Sequence, residues 1–395
     1  MKKFGGTSVK SIENIKNIAK LIKEDIKDKK YIIVLSAMGD ETNKLLKTAK
    51  LISENPNKRE IDMLLSTGEQ KSVALLSIAL NDLNIKTKSL NAKQCGIKTD
   101  RNFSNAKIKN INSKKIKSIL KNHQVLVVAG FQGVCFKGLD ITTLGRGGSD
   151  TTAVALANCL NLDKCEINTD VKGVFSVDPN LYKDAKKINQ ISYKEMLEFS
   201  EAGAKVLHKR ATNLALKNNI KLIIKSAFNK NYKTIIKGDV MEESKIKGIG
   251  VNNSLVKIKL NNLPIDKEVF KEVSLKCISK DIFIQHLYTN KKNYTKNLCV
   301  LVNHEKFEEV YKYLIDYANK FNKSFVCFED NISLISLIGN GIIKQKDILQ
   351  NFYKIANDFN LKYENIKFSE LNIKYIIKDK LVKKHVKTLH KKLIK

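Results

Sequence analysis

Hydrophobic and polar positions follow two alternating patterns along the first 240 residues. Short apolar runs rich in β-branched residues predict buried strands at 31–36, 125–130 and 221–228. Between them lie four stretches whose apolar residues recur at helical spacing: 11–26, 69–80, 115–122 and 195–211. Because strands that alternate with helices form mostly parallel sheets covered on both faces, we predict an α/β domain over residues 1–240.

The pattern changes after residue 239, where glycine becomes rarer and lysine and asparagine more frequent. Two successive units, 264–330 and 331–395, each read as strand, helix and strand. We therefore predict a second region over 248–395 that contains two small βαββαβ-like modules. Its helices are predicted at 266–278 and 347–359, and its strands at 297–303, 332–341 and 371–378.

The last stretch of the chain has the pattern of a basic amphipathic helix. Val382, Val386, Leu389 and Leu393 share one helical face among lysines. Such a helix can bind a membrane or RNA, but more often its apolar face packs on the sheet of its own domain, and we expect that packing here.

Composition narrows the class of protein. The chain has 395 residues, 43% of them hydrophobic, and no apolar run long enough to cross a membrane. The N-terminal residues lack the apolar core of a signal peptide. Seven scattered cysteines include no CxxC pair, which favours reduced thiols in a cytoplasm over a disulfide framework or a protein-held metal site.

The formal net charge of +32 leaves two interpretations. A strongly basic chain can bind nucleic acid, but nucleic-acid surfaces combine a clustered basic stripe with aromatic residues. Here the lysines are dispersed along the whole chain. We therefore favour a solvated lysine-rich surface whose field attracts anionic substrates, and expect neither a nucleic-acid nor a membrane partner.

The glycine-rich stretch TTLGRGGSDTTAVALA is the strongest local signal. It places glycines, Arg146, Ser149 and Asp150 between a predicted strand and an apolar run that predicts a helix beginning near Ser149 or Asp150. Glycines let the backbone approach a ligand, and a helix N-terminus favours an anion. Simple capping of the helix by Ser149 and Asp150 is the alternative explanation.

A second glycine cluster opens the chain as KKFGGTSV. Lys3 stands beside Gly5 and Gly6 just before a predicted helix, an arrangement suited to phosphate oxygens. Neither cluster has the Walker pattern GxxxxGK[ST] or the dinucleotide pattern GxGxxG. GNGIIK, at Gly339, lacks the third glycine of the dinucleotide pattern and predicts a turn.

Three further polar segments are predicted at turns. Thr42 follows the small-residue turn 36–39, Glu69 follows a glycine at a predicted helix start, and Thr169 with Asp170 follows a strand. Turn and capping chemistry alone could explain each segment. Together with the glycine clusters they make five polar turns, and open α/β sheets bind ligands at the carboxyl ends of their strands.

Seven motifs, in order, resemble those of the aspartate kinases across residues 3–228: KFGGTSV, LSAMG, LSTGEQ, VVAGFQGV, TTLGRGGSDTTAVALA, TDVKGV and EMLEFSEAGAKVLHKRA. The resemblance implies the amino-acid-kinase fold, a three-layer α/β/α sandwich around a mainly parallel sheet. It also implies two α+β ACT modules, the first at 264–330 and the second at 331–395. The strand 251–260 would join the second module, and KFSELNIKYII resembles another strand of that module.

The resemblance also implies a role for individual residues. Lys3, Gly5 and Gly6 would hold the phosphates of ATP. Thr42, Glu69, Arg146 and Ser149 would bind the amino-acid substrate, and Asp150 would organise the transfer centre. We expect Lys3, Arg146 and Asp150 to be catalytic. The residues expected to line the nucleotide site are Thr169, Asp170, Phe175, Lys205 and Val206.

The implied reaction transfers the γ-phosphoryl group of ATP to the side-chain carboxylate of L-aspartate, giving 4-phospho-L-aspartate and ADP. This is the first step of lysine, threonine and methionine biosynthesis. A carboxylate is already ionised at neutral pH, so no general base is needed and His208 is expected to be structural. Positioning, Mg²⁺ and cationic groups would supply the catalysis.

Regulation and assembly are further expectations. Residues 281–287 weakly resemble the family's effector motif, so lysine or threonine is a candidate feedback inhibitor, and ACT modules usually pair into homo-oligomers. A catalytically weakened relict that senses amino acids is the alternative, since Asn180 stands where the family commonly has an ATP-binding arginine. Glutamate and acetylglutamate kinases, which are related enzymes, would lack LSTGEQ and the ACT pair.

Overall fold

The computed structural model describes residues 1–27, 29–135, 138–204, 206–229, 232–238, 245–264, 271–275, 283–290, 295–362 and 365–394. They form two compact units. The first contains Met1–Ser176 and Lys186–Glu243, and the second contains Val177–Ala185 and Ser244–Lys395. The segment Val177–Ala185 thus groups with the second unit, although it lies within the predicted 1–240 domain. The predicted module boundaries inside 248–395 remain predictions.

The first unit is built on an eight-stranded sheet with the order β10-β12-β11-β9-β1-β2-β6-β3. All neighbouring strands are parallel except β11 and β12. The strands of the unit are β1 (Lys2–Phe4), β2 (Tyr31–Leu35), β3 (Thr87–Leu90), β4 (Ile97–Thr99), β5 (Ile108–Ile111), β6 (Val125–Ala129), β7 (Gln132–Cys135), β8 (Ile141–Thr143), β9 (Lys164–Thr169), β10 (Gln190–Ser192), β11 (Lys221–Ser226) and β12 (Lys233–Lys237).

Helices cover both faces of this sheet. They are α1 (Ile12–Ile26), α2 (Glu41–Ile52), α3 (Lys58–Asp82), α4 (Ala92–Cys95), α5 (Ser113–Lys121), α6 (Gly148–Cys159), α7 (Tyr193–Glu201) and α8 (Lys209–Lys217). Helices α1 and α3 bury their apolar faces with β1, β2 and β6 in one core, while α6 packs on β1, β2 and β9. The predicted three-layer α/β/α sandwich around a mainly parallel sheet is therefore confirmed.

The start of α1 shows how local sequence sets an element. The Ser11 side chain accepts a hydrogen bond from the backbone N–H of Asn14, which caps the helix. From there Ile15, Ile18 and Ile22 recur on one face and are buried. The predicted helix over 11–26 is confirmed to within a residue.

Two predictions in this unit were wrong. Glu69 lies in the middle of α3, not at a helix start. The glycine before it, Gly68, does not begin the helix but allows close packing, since a Cβ there would lie 2.9 Å from the Cβ of Ala37. The stretch 195–211 is not one helix, since α7 ends at Glu201 and α8 begins at Lys209. Gly203 lies between them at φ +96°, outside helical geometry.

A second, four-stranded sheet in the first unit was not predicted. Its order is β5-β4-β7-β8, and β7 pairs antiparallel with β8. The strands are only three or four residues long, too short for a clear alternation of apolar and polar positions. This sheet leads directly into the glycine-rich stretch, since β8 ends at Thr143.

The second unit is built on a six-stranded sheet with the order β14-β15-β13-β16-β18-β17, antiparallel throughout. Its strands are β13 (Ile246–Pro264), β14 (Phe283–Asn290), β15 (Thr295–Asn303), β16 (Phe325–Gly339), β17 (Lys367–Phe368) and β18 (Asn372–Lys378). Its helices are α9 (His304–Ala318), α10 (Lys346–Asp358) and α11 (Val382–Leu393). The expected α+β composition is confirmed.

The long strands β13 and β16 make this sheet continuous. They pair from Ile246 with Gly339 to Asn261 with Phe325, and β13 also pairs with β15. The predicted strand at 251–260 therefore has neighbours from both predicted modules. Of the predicted helix at 266–278, only 271–275 is described, and it is helical. Residues 281 and 282 of the proposed effector motif lie outside the described residues.

Helix α11 packs as expected. Val382, Val386, Leu389 and Leu393 are buried in one core with α10 and β18. Within this core the Tyr375 hydroxyl and His385 Nε2 lie 2.6 Å apart. The prediction that the apolar face packs on its own sheet is confirmed. No helix in the described ranges is long and apolar enough to cross a membrane.

Candidate active site

The site lies where the central parallel strands end. Strands β9, β1, β2 and β6 are neighbours, so their carboxyl ends meet at one edge of the sheet. The loops at this edge carry Gly5 and Gly6 after β1, 36–39 after β2, Gly130 after β6, and Asp170 after β9, which ends at Thr169. Helix α6 begins beside them, since a Cβ added to Gly130 would lie 2.7 Å from the Ser149 Cβ.

A buried ion pair joins the two glycine-rich stretches. Lys3 Nζ lies 2.7 Å from Asp150 Oδ1, and the two side chains are 10% and 12% exposed. The contact is an ion pair only, because Asp150 Oδ1 accepts no well-aligned hydrogen bond from the described residues. A charged pair is costly to bury, so its place at the sheet edge indicates a site for charged ligands rather than a device for stability.

The loop after β1 fits closely against its neighbours. The Gly5 N–H donates to the Asn168 carbonyl at 3.0 Å, and Asn168 Nδ2 donates to the Lys3 carbonyl at 3.0 Å. A Cβ on Gly6 would lie 2.7 Å from the Ala37 carbonyl oxygen, so only glycine fits there. These contacts fix the backbone beside the Lys3 ammonium. Asn168, which makes two of them, has no signal in the sequence, because it lies within a predicted buried strand.

Glycine geometry also shapes the start of α6. Gly145 and Gly147 have φ values of +74° and +71°, and Gly147 is the N-cap. No side chain of the described part of the chain makes a capping hydrogen bond at this N-cap. The alternative explanation, in which Ser149 and Asp150 are capping residues, is therefore wrong. Both lie in the first turn, where the helix dipole favours negative ligands.

Arg146 and Thr42 are more exposed than the Lys3–Asp150 pair. Arg146 is exposed, and its guanidinium has no hydrogen bond or ion pair with the rest of the described chain. Thr42 lies half-buried in the first turn of α2. An exposed guanidinium beside a helix N-terminus can bind a carboxylate through two parallel hydrogen bonds.

Glu69 is a buried carboxyl group with one oxygen unpaired. The side chain is 3% exposed, and Oε1 accepts a hydrogen bond from the Ala37 N–H at 3.0 Å. Oε2 is buried and has no partner among the described residues. Burial raises the pKa of the Glu69 carboxyl to about 8. A cationic group brought to Oε2 would therefore stabilise the ionised form.

The residues expected at the nucleotide site are less closely grouped. The Thr169 hydroxyl donates to Asp170 Oδ1 at 2.9 Å, beside the loop after β1. Phe175 is half-buried and forms an isolated backbone bridge with Lys187. Val206 lies half-buried in the connection between α7 and α8. Lys205 lies outside the described residues.

His208 packs against Gly147, in the loop that precedes α6. A Cβ on Gly147 would lie 2.2 Å from the His208 Cβ, and His208 caps α8 by accepting from the Arg210 N–H. Burial lowers the pKa of the His208 imidazole, which favours its neutral form. These contacts agree with the structural role expected of His208.

Two charged residues near the site were missed by the sequence analysis. Asp62, in α3, accepts hydrogen bonds from Ser104 and Thr143, and Arg210, in α8, donates to the carbonyls of Leu144 and Ala106. Neither has a local pattern that would reveal it, because each binds backbone that is distant in sequence. Among the described residues, no cluster of three or more His, Cys, Asp or Glu side chains could hold a metal ion.

Comparison with known proteins agrees with this geometry. The sequence profile of the amino acid kinase family matches residues 2–226. The aspartokinase of Geobacillus stearothermophilus is 38% identical over 399 residues, covering 99% of this chain and 96% of the relative. The structure of E. coli aspartokinase III with aspartate and ADP (R-state) has a TM-score of 0.80 at 21% identity, covering 100% of this chain and 99% of that one. The same enzyme with lysine and aspartate (T-state) has a TM-score of 0.78 at 21% identity and the same coverage.

Proposed function

The chain belongs to the aspartokinases of the amino acid kinase family, and on that premise we propose that it transfers the γ-phosphoryl group of ATP to the side-chain carboxylate of L-aspartate. The products are 4-phospho-L-aspartate and ADP. The observation that carries this proposal is the Lys3–Asp150 ion pair, which joins both glycine-rich stretches at the carboxyl edge of the parallel sheet. A phosphate-binding lysine and an anion-binding helix start meet there.

The acceptor amino acid binds through complementary charges. Arg146 takes a carboxylate in a bidentate fork, supported by Ser149 at the helix start, and Thr42 contacts the same substrate. Glu69 offers its unpaired Oε2 to the α-ammonium group. Because this oxygen is buried and has no partner in the part of the chain that the structure describes, an ammonium group there removes a desolvation cost that the free protein carries.

The phosphates bind on the other side of the ion pair. The Lys3 ammonium and the loop at Gly5 and Gly6 hold the phosphate oxygens, and the absence of a Gly6 side chain permits the close backbone approach seen against Ala37. Thr169, Asp170, Phe175, Lys205 and Val206 line the rest of the nucleotide site. Asp150 orients the ammonium group of Lys3, so that this group lies between the phosphate donor and the carboxylate acceptor.

The reaction requires alignment rather than proton transfer. The aspartate carboxylate is already an anion at neutral pH, so it attacks the γ-phosphorus without a general base. Lys3, Arg146 and the N-terminus of α6 stabilise the charge that spreads over the phosphoryl oxygens. Mg²⁺ arriving with ATP would neutralise phosphate charge. Such an ion would need no ligand cluster of the protein's own, since Mg²⁺ on nucleotides is held mainly by phosphates and water.

Regulation and assembly complete the proposal. Lysine or threonine is the proposed effector of the second unit, and pairing of its ACT modules would make a homo-oligomer. The six described cysteines are free thiols, which supports a reducing, cytoplasmic location. Size-exclusion chromatography with light scattering tests the assembly, and a monomer at micromolar concentration would contradict it.

A trapping reaction tests the proposed activity. Acyl phosphates react with hydroxylamine, so Mg-ATP, L-aspartate and hydroxylamine should give aspartyl hydroxamate in the presence of the protein. Hydroxamate that forms with aspartate but not with glutamate supports the proposal. ADP release without hydroxamate would mean that water, not aspartate, accepts the phosphoryl group.

The alternative is an amino-acid-sensing relict. Asn180 replaces the family's usual arginine and belongs to the segment Val177–Ala185, whose Val177 is buried in the core of the second unit. A relict would bind lysine or threonine while forming no hydroxamate. We favour the enzyme, because Lys3, Glu69, Arg146, Ser149 and Asp150 are all present.

A further inference from the structure

The backbone that enters the glycine-rich loop is held by a buried carboxylate. Asp62 is fully buried in α3 and accepts five hydrogen bonds. Its oxygens accept from the Thr143 N–H and hydroxyl, both at 2.7 Å. They also accept from the Ser104 N–H, at 2.9 Å and 3.0 Å, and from the Ser104 hydroxyl at 3.1 Å. Asp62 thus joins α3 to the last residue of β8 and to the turn at Ser104.

A guanidinium group holds the next peptide unit. Arg210 Nη1 donates to the Leu144 carbonyl at 2.7 Å, and Nη2 donates to the Ala106 carbonyl at 2.6 Å. The Ala106 N–H in turn donates to the Thr143 carbonyl at 2.9 Å. Two short stretches of backbone, 104–106 and 143–144, are therefore crosslinked to each other and anchored to α3 and α8.

This anchored backbone continues directly into the loop Gly145–Gly147, which carries Arg146 and leads into the first turn of α6 with Ser149 and Asp150. Gly145 follows Leu144, and a Cβ there would lie 2.9 Å from the Ser104 carbonyl oxygen. With glycines at 145, 147 and 148, the loop has little stiffness of its own. Its position must therefore come from contacts such as those of Asp62 and Arg210.

We propose that Asp62 and Arg210 are positioning residues for phosphoryl transfer. They fix the peptide units of Thr143 and Leu144 so that the loop and the first turn of α6 hold Arg146, Ser149 and Asp150 in register with Lys3. The inference rests on the proposed function, and goes beyond it by assigning roles to two residues that are not among the proposed substrate-binding and nucleotide-binding residues. A misplacement of about 1 Å can lower a rate by about 100-fold, so the reaction should be sensitive to both.

Substitutions at both positions test the inference. Arg210→Met removes both hydrogen bonds, Arg210→Lys can keep one, and Asp62→Asn replaces an acceptor oxygen with a donor that opposes the backbone N–H groups. The matched controls are Arg101→Met and Asp82→Asn, because both of these side chains are exposed and Asp82 ends the same helix as Asp62. The readouts are kcat and KM for aspartate, ADP affinity by calorimetry, and Tm.

We expect kcat/KM for aspartate to fall by about 100-fold in Arg210→Met and Asp62→Asn and by about 10-fold in Arg210→Lys, with ADP affinity within about threefold of wild type. A further variant, Arg210→Ala, leaves room for a small cation in place of the side chain. Millimolar guanidinium, but not ammonium, should restore part of the kcat of this variant. Variants that match the controls would overturn the inference. A parallel loss of ADP affinity, Tm and activity would also overturn it, since that pattern means a role in folding only. Inactive wild-type protein would instead contradict the proposed function itself.

Discussion

Lys3 and its neighbour Lys2 are both buried, and each lies 2.7 Å from a carboxylate, but the two ion pairs lie on opposite faces of β1. Lys2 Nζ binds Asp25 on the side of α1, whereas Lys3 Nζ binds Asp150 at the start of α6. Adjacent residues of a strand point to opposite faces. Lys2 and Lys3 are therefore matched positions: one forms an ion pair away from the candidate site, and the other forms an ion pair within it.

This pair gives the first prediction. Lys3→Met should lower kcat by at least about 100-fold, because it removes the cation between donor and acceptor. It should also cost about 3 kcal/mol of stability, since Asp150 is left unpaired. Lys2→Met should lose stability but keep kcat within about twofold of wild type, because its ion pair lies on the other face. Steady-state kinetics and urea unfolding measure both effects. Equal loss of kcat in the two variants would contradict the assigned role of Lys3.

The second prediction concerns Gly147. Alanine there must adopt φ near +71° and would bring its Cβ to 2.2 Å from the His208 Cβ. We expect Gly147→Ala to lose about 3 kcal/mol of stability and most activity, through backbone strain and overpacking. Gly238→Ala is the control, because no heavy atom of the described residues lies within 4 Å of its added Cβ; its stability should change by less than about 0.5 kcal/mol. Similar unfolding midpoints for the two variants would refute the packing argument.

The third prediction follows from the raised pKa of Glu69, about 8 instead of its usual 4.5. Between these pH values the folded state holds a proton that the unfolded chain has released. The resulting stability is complete below pH 4.5 and is lost as pH rises through about 8. Glu69→Gln keeps a neutral group of the same shape, so its Tm should fall less than that of wild type between pH 4.5 and about 8, where only the unfolded chain has released the proton.

Kinetics provide a second test of Glu69. If Oε2 binds the substrate ammonium, KM for aspartate should fall as pH rises and Glu69 ionises, and Glu69→Gln should lose this dependence and raise KM by at least about tenfold. Glu54→Gln, which removes an exposed carboxyl, should behave as wild type. Identical pH profiles for Glu69→Gln and wild type would rule out this role of the carboxyl group.

The fourth prediction concerns feedback. If the second unit senses an end product, added lysine or threonine should lower the rate of ADP release in a saturable way and leave the hydroxamate-to-ADP ratio unchanged. A flat titration with both amino acids would remove the effector proposal but leave the catalytic one intact.

The sequence predicted those parts of the fold that depend on local pattern. The strands β2, β6 and β11 and the apolar face of α11 follow from periodicity alone, and the order of motifs indicated which turns would meet. Glu69 was misplaced because a glycine that permits close packing inside a helix has the same local sequence as one that begins a helix. Only the neighbouring Ala37 distinguishes the two.

Other features depend on contacts between distant residues. Asp62 and Arg210 bind backbone N–H and carbonyl groups. Such contacts do not depend on the side chains of the partner residues, so the sequence does not reveal them. The continuous pairing of β13 with β16 is likewise set by register, which the alternation of apolar residues within each strand does not determine. The grouping of Val177–Ala185 with the second unit arises because Val177 is buried among residues of α10 and α11.

ADP release from Mg-ATP, measured with and without L-aspartate for wild type and Arg146→Ala, tests whether aspartate accepts the phosphoryl group at the proposed site. Since Arg146 is exposed and unpaired within the described structure, its loss should leave the Tm unchanged. We predict aspartate-dependent ADP release that falls by at least about 100-fold in kcat/KM in the variant. Folded wild-type protein that releases no ADP in response to aspartate would contradict this prediction.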